Sequence, residues 1–299
     1  MKNLFIMITL IFLSTNAQAS SVEDVWHQVT MDGYTKLPKN SISFKSLFGW
    51  GKSKIKQAAK RTLNSKKDIL PQFRKLAHPN GVCLKGQWEI TKANKYSGYF
   101  KYPSIAPIIV RASTAMSATK KGKNRAFGFA GKIFPVGELE GVAPTANFVL
   151  VDDLGGTKAA HYTDVEMTNE PDVSKTSAVI KNILYVLKLA ATFGKADNNP
   201  GMRQVYEISE LGETDLTKVV TPKWMMVKAQ AGQTVDENDF RNELNIENYD
   251  DKLTFDIYVA DFEVDGKKNW SKVGEINFTD SIASNSCDHR LHFHHPKWK

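Results

Sequence analysis

Leu253-Thr254-Phe255-Asp256-Ile257-Tyr258-Val259-Ala260 is the stretch on which the fold turns. Leu253, Phe255, Ile257 and Val259 alternate with Thr254, Asp256 and Tyr258. A period of two puts the apolar set on one face of a strand and the polar set on the other. Val273-Gly274-Glu275-Ile276-Asn277-Phe278 repeats the alternation. Gln87-Trp88-Glu89-Ile90, Ile108-Ile109-Val110, Phe129–Phe134, Phe148-Val149-Leu150-Val151 and Trp224-Met225-Met226-Val227 are further β-prone runs, with Gly, Pro, Asn and Asp as punctuation between the earlier ones. One segment changes period: over 174–194, Ser174 can cap a helix, Val179, Ile180, Ile183, Leu184, Val186, Leu187 and Ala190 give it an apolar face, and Gly194 closes it. The pattern predicts an α+β chain. Its core is an antiparallel β-barrel with helices outside it and a helical N-terminal arm.

Outside that core, residues 1–19 read as a cleavable signal peptide. Lys2 supplies a positive start, Leu4–Leu13 an apolar run, and Ala17-Gln18-Ala19 small residues at the cleavage spacing. An exported protein, periplasmic or secreted, is expected. Residues 20–70 read as a basic, partly helical arm and 71–299 as the barrel domain. The formal charge of +8 becomes +7 when Lys2 leaves. From Lys52 to Lys75 nine basic residues face one acid, Asp68. With Phe48 and Trp50 before it, the stretch 48–67 suits peripheral contact with an anionic membrane, or packing as an amphipathic arm on its own domain. Nucleic acid is not an expected partner, because the later chain is rich in acids and lacks a reading motif.

The cysteines, Cys83 and Cys287, are too far apart for a redox pair. They imply one long-range disulfide or two buried thiols. His78, beside Pro79-Asn80-Gly81, is an acid–base candidate by chemistry and equally a turn-bridging residue. Arg111 follows an apolar strand and can bind an anion. The tail holds His289, His292, His294 and His295 within seven positions, and His292 and His294 share a strand face. That pair could bind a metal ion or pack on the barrel. His27 and His161 have no evident partners, and Asp152 and Asp153 read as turn acids.

Several of these segments, in order, resemble the catalase core. His78 stands eight residues before Gly86, which opens Trp88-Glu89-Ile90. Arg111-Ala112-Ser113-Thr114 resembles the family's R-[FA]-S-[ST] segment, and Gly128-Phe129-Ala130-Gly131-Lys132-Ile133-Phe134 its GFAxKF strand. Leu253–Asp256 and Trp270-Ser271-Lys272-Val273-Gly274 resemble its PFD…W…VG region. The resemblance implies a haem protein acting on hydrogen peroxide or an organic hydroperoxide. It makes His78 the distal acid–base group, oriented by Ser113, with Thr145 or Asn147 in the place of the distal asparagine. It gives Arg111 and Lys75 to haem propionates and Phe129 to the cofactor pocket.

The chain also departs from that family. The family's proximal ligand is a tyrosine in an Arg-x-x-x-Tyr helix after the VG strand, and residues 274–299 contain no tyrosine. Haem iron needs an axial ligand. Either another residue, with His292 or His294 foremost, supplies it, or the barrel has become a non-catalytic ligand-binding or interaction protein. A small peroxide or other small ligand is the expected partner, together with a second copy of the chain as a homo-oligomer.

Overall fold

In the computed structural model, residues 21–33, 78, 80–114, 120, 125, 127–134, 146–152, 161–169, 202–204, 220–232, 234–291 and 293 are described. The signal peptide, the basic stretch 48–67, the helix expected at 174–194, Lys75, Thr145, His292 and His294 lie outside them.

Each β-prone run falls in a strand, namely β1 (Asn80–Ile90), β2 (Ser104–Thr114), β3 (Phe127–Ile133), β4 (Ala146–Asp152), β7 (Trp224–Ala229), β8 (Leu253–Ala260) and β11 (Ser271–Ile282). Two short strands, β5 (Met167–Thr168) and β6 (Met202–Gln204), come from stretches without such a run. A separate two-stranded ribbon pairs β9 (Glu263–Val264) with β10 (Lys267–Lys268). Pairing runs β3-β2-β1-β11-β8-β7-β5-β4, and a β3–β4 ladder closes this circuit of eight antiparallel strands into a barrel. β6 extends the same edge of β4 through Ala146–Phe148.

Closure requires the strands to coil. β11 inserts one extra residue against β1 near Thr279 and another against β8 near Val273. Such bulges bend a strand and sharpen its twist. Beside them Gly86 and Gly274 let backbones meet, since a Cβ on either would lie 2.0 Å from a neighbouring carbonyl oxygen.

The described barrel interior is apolar and rich in aromatic rings. Phe129, Phe148, Phe255 and Phe278 fill its middle, with Phe129 at 5.2–6.2 Å ring separation from the other three. Gly131 makes room for Phe148, whose ring atoms stand 2.1 Å from where a Cβ would be. Trp88 and Phe100 close one end in edge-to-face contact. At the other end Phe127, Tyr162 and Phe240 pack together, the last on a short helix, α2 (Phe240–Glu243). A buried ion pair, Arg125 to Glu243 at 2.8 Å, secures that lid.

Two helices cover the outside of β1 and β2. α1 (Val22–Thr30) begins in a capping box made by Ser21 and Asp24. α3 (Asn285–Arg290) follows β11 directly. Val25 and Val29 of α1 share an apolar cluster with Cys83, Ile109, Phe134, Cys287 and Leu291. The two cysteines form a disulfide spanning 204 positions, which settles the choice between bridge and buried thiols.

Candidate functional site: the His78 face of the barrel

On β2 the even residues Ile108, Val110 and Ala112 enter the barrel, so Ile109, Arg111 and Ser113 face outward. On β3 the interior set is Phe127, Phe129 and Ile133, leaving Gly128 and Lys132 outside. His78 lies on this outer face. Its backbone is left-handed, with φ +55. Its Nδ1 stands 3.2 Å from Ser113 Oγ. Gly128 is the floor beneath the ring, because a Cβ there would come within 2.8 Å of His78 Cε1.

The hydrogen bonds suit one tautomer. Ser113 Oγ donates to the Gly128 carbonyl at 3.3 Å, which leaves its lone pairs for a proton on His78 Nδ1. Nε2 is then the bare nitrogen, an acceptor or base. Burial, aided by the positive charge of Arg111, pulls the imidazole down to about 4, while a hydrogen bond to the Ser113 backbone opposes the shift. The ring is therefore neutral at physiological pH.

Arg111 does not face an open anion site. Its Nε and Nη2 both donate to Asp288 Oδ1, at 3.1 and 2.5 Å, and Nη2 also donates to the His78 carbonyl at 2.8 Å. The pair is buried, with side chains 3% and 8% exposed. Gly81 leaves the space for this guanidinium, since a Cβ there would sit 2.8 Å from it. The propionate role implied for Arg111 thus meets an internal carboxylate already in position.

The other expected residues separate. Phe129 is on the wrong face for a His78 pocket: strand periodicity sends its ring into the barrel while His78 stays outside. Asn147 is outward and buried, but it pairs with Lys132, four residues along β3 from Gly128, or roughly 13 Å at strand spacing. Lys132 itself is pulled down to about 8 by burial. Asp152 is no turn acid: its Oδ2 accepts from the Phe127 N–H at 2.6 Å and ties β4 to the start of β3. His161, without an evident partner in the sequence, has Nδ1 3.4 Å from Glu243 Oε1.

The sequence gives little sign of Asp288 or Tyr162. Tyr162 donates its hydroxyl to the Gly128 carbonyl at 2.7 Å, reinforcing the floor from below. No motif marks it. Asp288 had one usable signal, its place directly after a cysteine that can bridge to the strand beside Arg111. Among the described residues, no group of three or more His, Cys, Asp or Glu could hold a metal ion.

No family model matches the sequence, and no curated protein matches it. Solved catalase structures resemble it distantly. A bacterial catalase shares 12% identity at a TM-score of 0.36, covering 76% of this chain and 52% of its own. Catalase A from Saccharomyces cerevisiae shares 10% at 0.40, covering 83% and 58%. A fungal catalase shares 11% at 0.37, covering 83% and 56%. The chain spans little more than half the length of these catalases, and the likeness is a distant one of barrel architecture.

Proposed function

We propose that the chain is an exported, catalase-related haem protein acting on hydrogen peroxide or an organic hydroperoxide, with His78 as its acid–base group. The observation that carries this reading is the His78–Ser113 pair, with Nδ1 3.2 Å from Oγ on a ring that burial keeps neutral. An uncharged ring held over a glycine floor offers a proton acceptor to a small ligand, while Arg111 is already paired with Asp288. A bound haem supplies the redox-active iron at which a peroxide bond is broken. The part of His78 is to take a proton at Nε2 from one peroxide oxygen and return it to the other, while Ser113 keeps the ring from turning. The disulfide, at home in an oxidising compartment, supports export alongside the N-terminal leader.

Loading the purified protein with haem and recording its absorption and peroxide turnover tests the proposal. A Soret band is expected in both parent and His78→Ala, with turnover about 10²- to 10⁴-fold lower in the variant. A parent that takes up no haem ends the haem reading, and equal turnover removes His78 from the chemistry.

The Arg111–Asp288 pair favours a second reading, a barrel that binds a ligand or partner without turnover. The buried phenols of Tyr162 and Tyr249 are likewise spent as donors to carbonyls. Uptake of haem without peroxide turnover would select it.

A further inference from the structure

Cys83 and Arg111 face each other across the β1–β2 ladder, and consecutive residues of α3 meet them. Cys287 is bonded to Cys83 and Asp288 to Arg111, so a covalent and an ionic tie run side by side from one helix to two adjacent strands. The helix is set by its own cap, Ser284 Oγ accepting from the Cys287 N–H at 2.8 Å. From Arg111 the chain of contacts continues to the His78 carbonyl.

We propose that Asp288 is a positioning residue for His78, acting through Arg111. This rests on the reading of His78 as the acid–base group. A histidine with φ +55 is held there only if its surroundings fix it. Two described contacts do so. Ser113 holds the ring, and Arg111 Nη2 holds the carbonyl. An arginine side chain rotates freely unless anchored, and Asp288 anchors this one through two nitrogens. Gly81 admits the guanidinium to that position and the disulfide sets the helix that carries the carboxylate. Without Asp288 the guanidinium loses its direction, the carbonyl its donor, and the ring its fixed relation to Ser113. Asp288 never touches the ligand.

The test reads the imidazole directly. Nitrogen-15 spectra of the histidine rings, with the His78 signals identified by their loss in His78→Gln, should show one protonated and one bare nitrogen in the parent. In Asp288→Asn the two signals should move toward each other as tautomers mix, and Asp288→Glu should restore part of the separation. Arg111→Lys keeps an ion pair but loses the fork that reaches the carbonyl, and it should mix the tautomers as Asp288→Asn does. In haem-loaded protein Asp288→Asn should lower turnover about 10²-fold, the cost of a small misplacement of a reacting group. Parental His78 signals in a folded Asp288→Asn overturn the proposal. If that variant does not fold, parental signals in Arg111→Lys do so. A parent with no turnover whose tautomer still responds to Asp288 sinks the peroxide reading and leaves the positioning role standing.

Discussion

His78 and its neighbours behave as a set of mutually fitted single residues. The fit is close at Gly128, where even one methyl group collides with the imidazole. Gly128→Ala should therefore displace the ring from Ser113 and lower any His78-dependent turnover by about two orders of magnitude, while circular dichroism stays parental. The depressed basicity of His78 also sets a pH dependence. Its folded value of about 4 lies below the usual 6.5, so the unfolded chain binds more protons between the two. The resulting stabilisation is complete above pH 6.5 and lost as pH falls through 4, at most about 3 kcal/mol. Urea unfolding should show the parent losing that advantage over His78→Gln across the window, and parallel curves would contradict the shift. His78 and Ser113 were legible in sequence because the spacing to Gly86 and the Arg111–Thr114 segment carry local pattern. Asp288 was not, because its partner lies 177 positions away and only the folded register brings them together.

At the scale of the element, alternation decided almost everything. Leu253–Val259 and Val273–Phe278 fall in β8 and β11, with their apolar residues inside the barrel. The same rule, applied strictly, would have separated Phe129 from Ser113. Facing positions on β2 and β3 are Ala112 and Phe129 on the inner side, Ser113 and Gly128 on the outer. The motif placed Phe129 by its neighbours in sequence, whereas its side chain answers to the pleat. Phe129→Ala should accordingly cost about 3–5 kcal/mol in unfolding free energy and leave the His78 ring signals in place. A stable Phe129→Ala that loses only ligand affinity would reverse this assignment. The bulges of β11 were illegible for a different reason. An extra residue in a strand is defined by its partners, and the hydrophobic pattern within β11 alone does not reveal it.

At the scale of the whole molecule, the barrel closes on itself and the first and last described helices meet on one outer wall. Ser284 Oγ donates to the Val29 carbonyl and Ser286 Oγ to Asp32, so α1 and α3 are joined directly. Replacing both cysteines by serine should lower stability by about 2–5 kcal/mol, read from denaturant midpoints. A variant as stable as the parent would show that packing between the helices already holds the wall. The bridge has a mechanical consequence as well. A pull applied at residues 21 and 293 reaches the disulfide before it can load the strands between Cys83 and Cys287. That enclosed stretch, with a contour of roughly 700 Å at about 3.5 Å per residue, is shielded from tension while the bond is intact. Stretched in an oxidising medium, the molecule would lengthen only by its outer segments, and a reductant would release the hidden length.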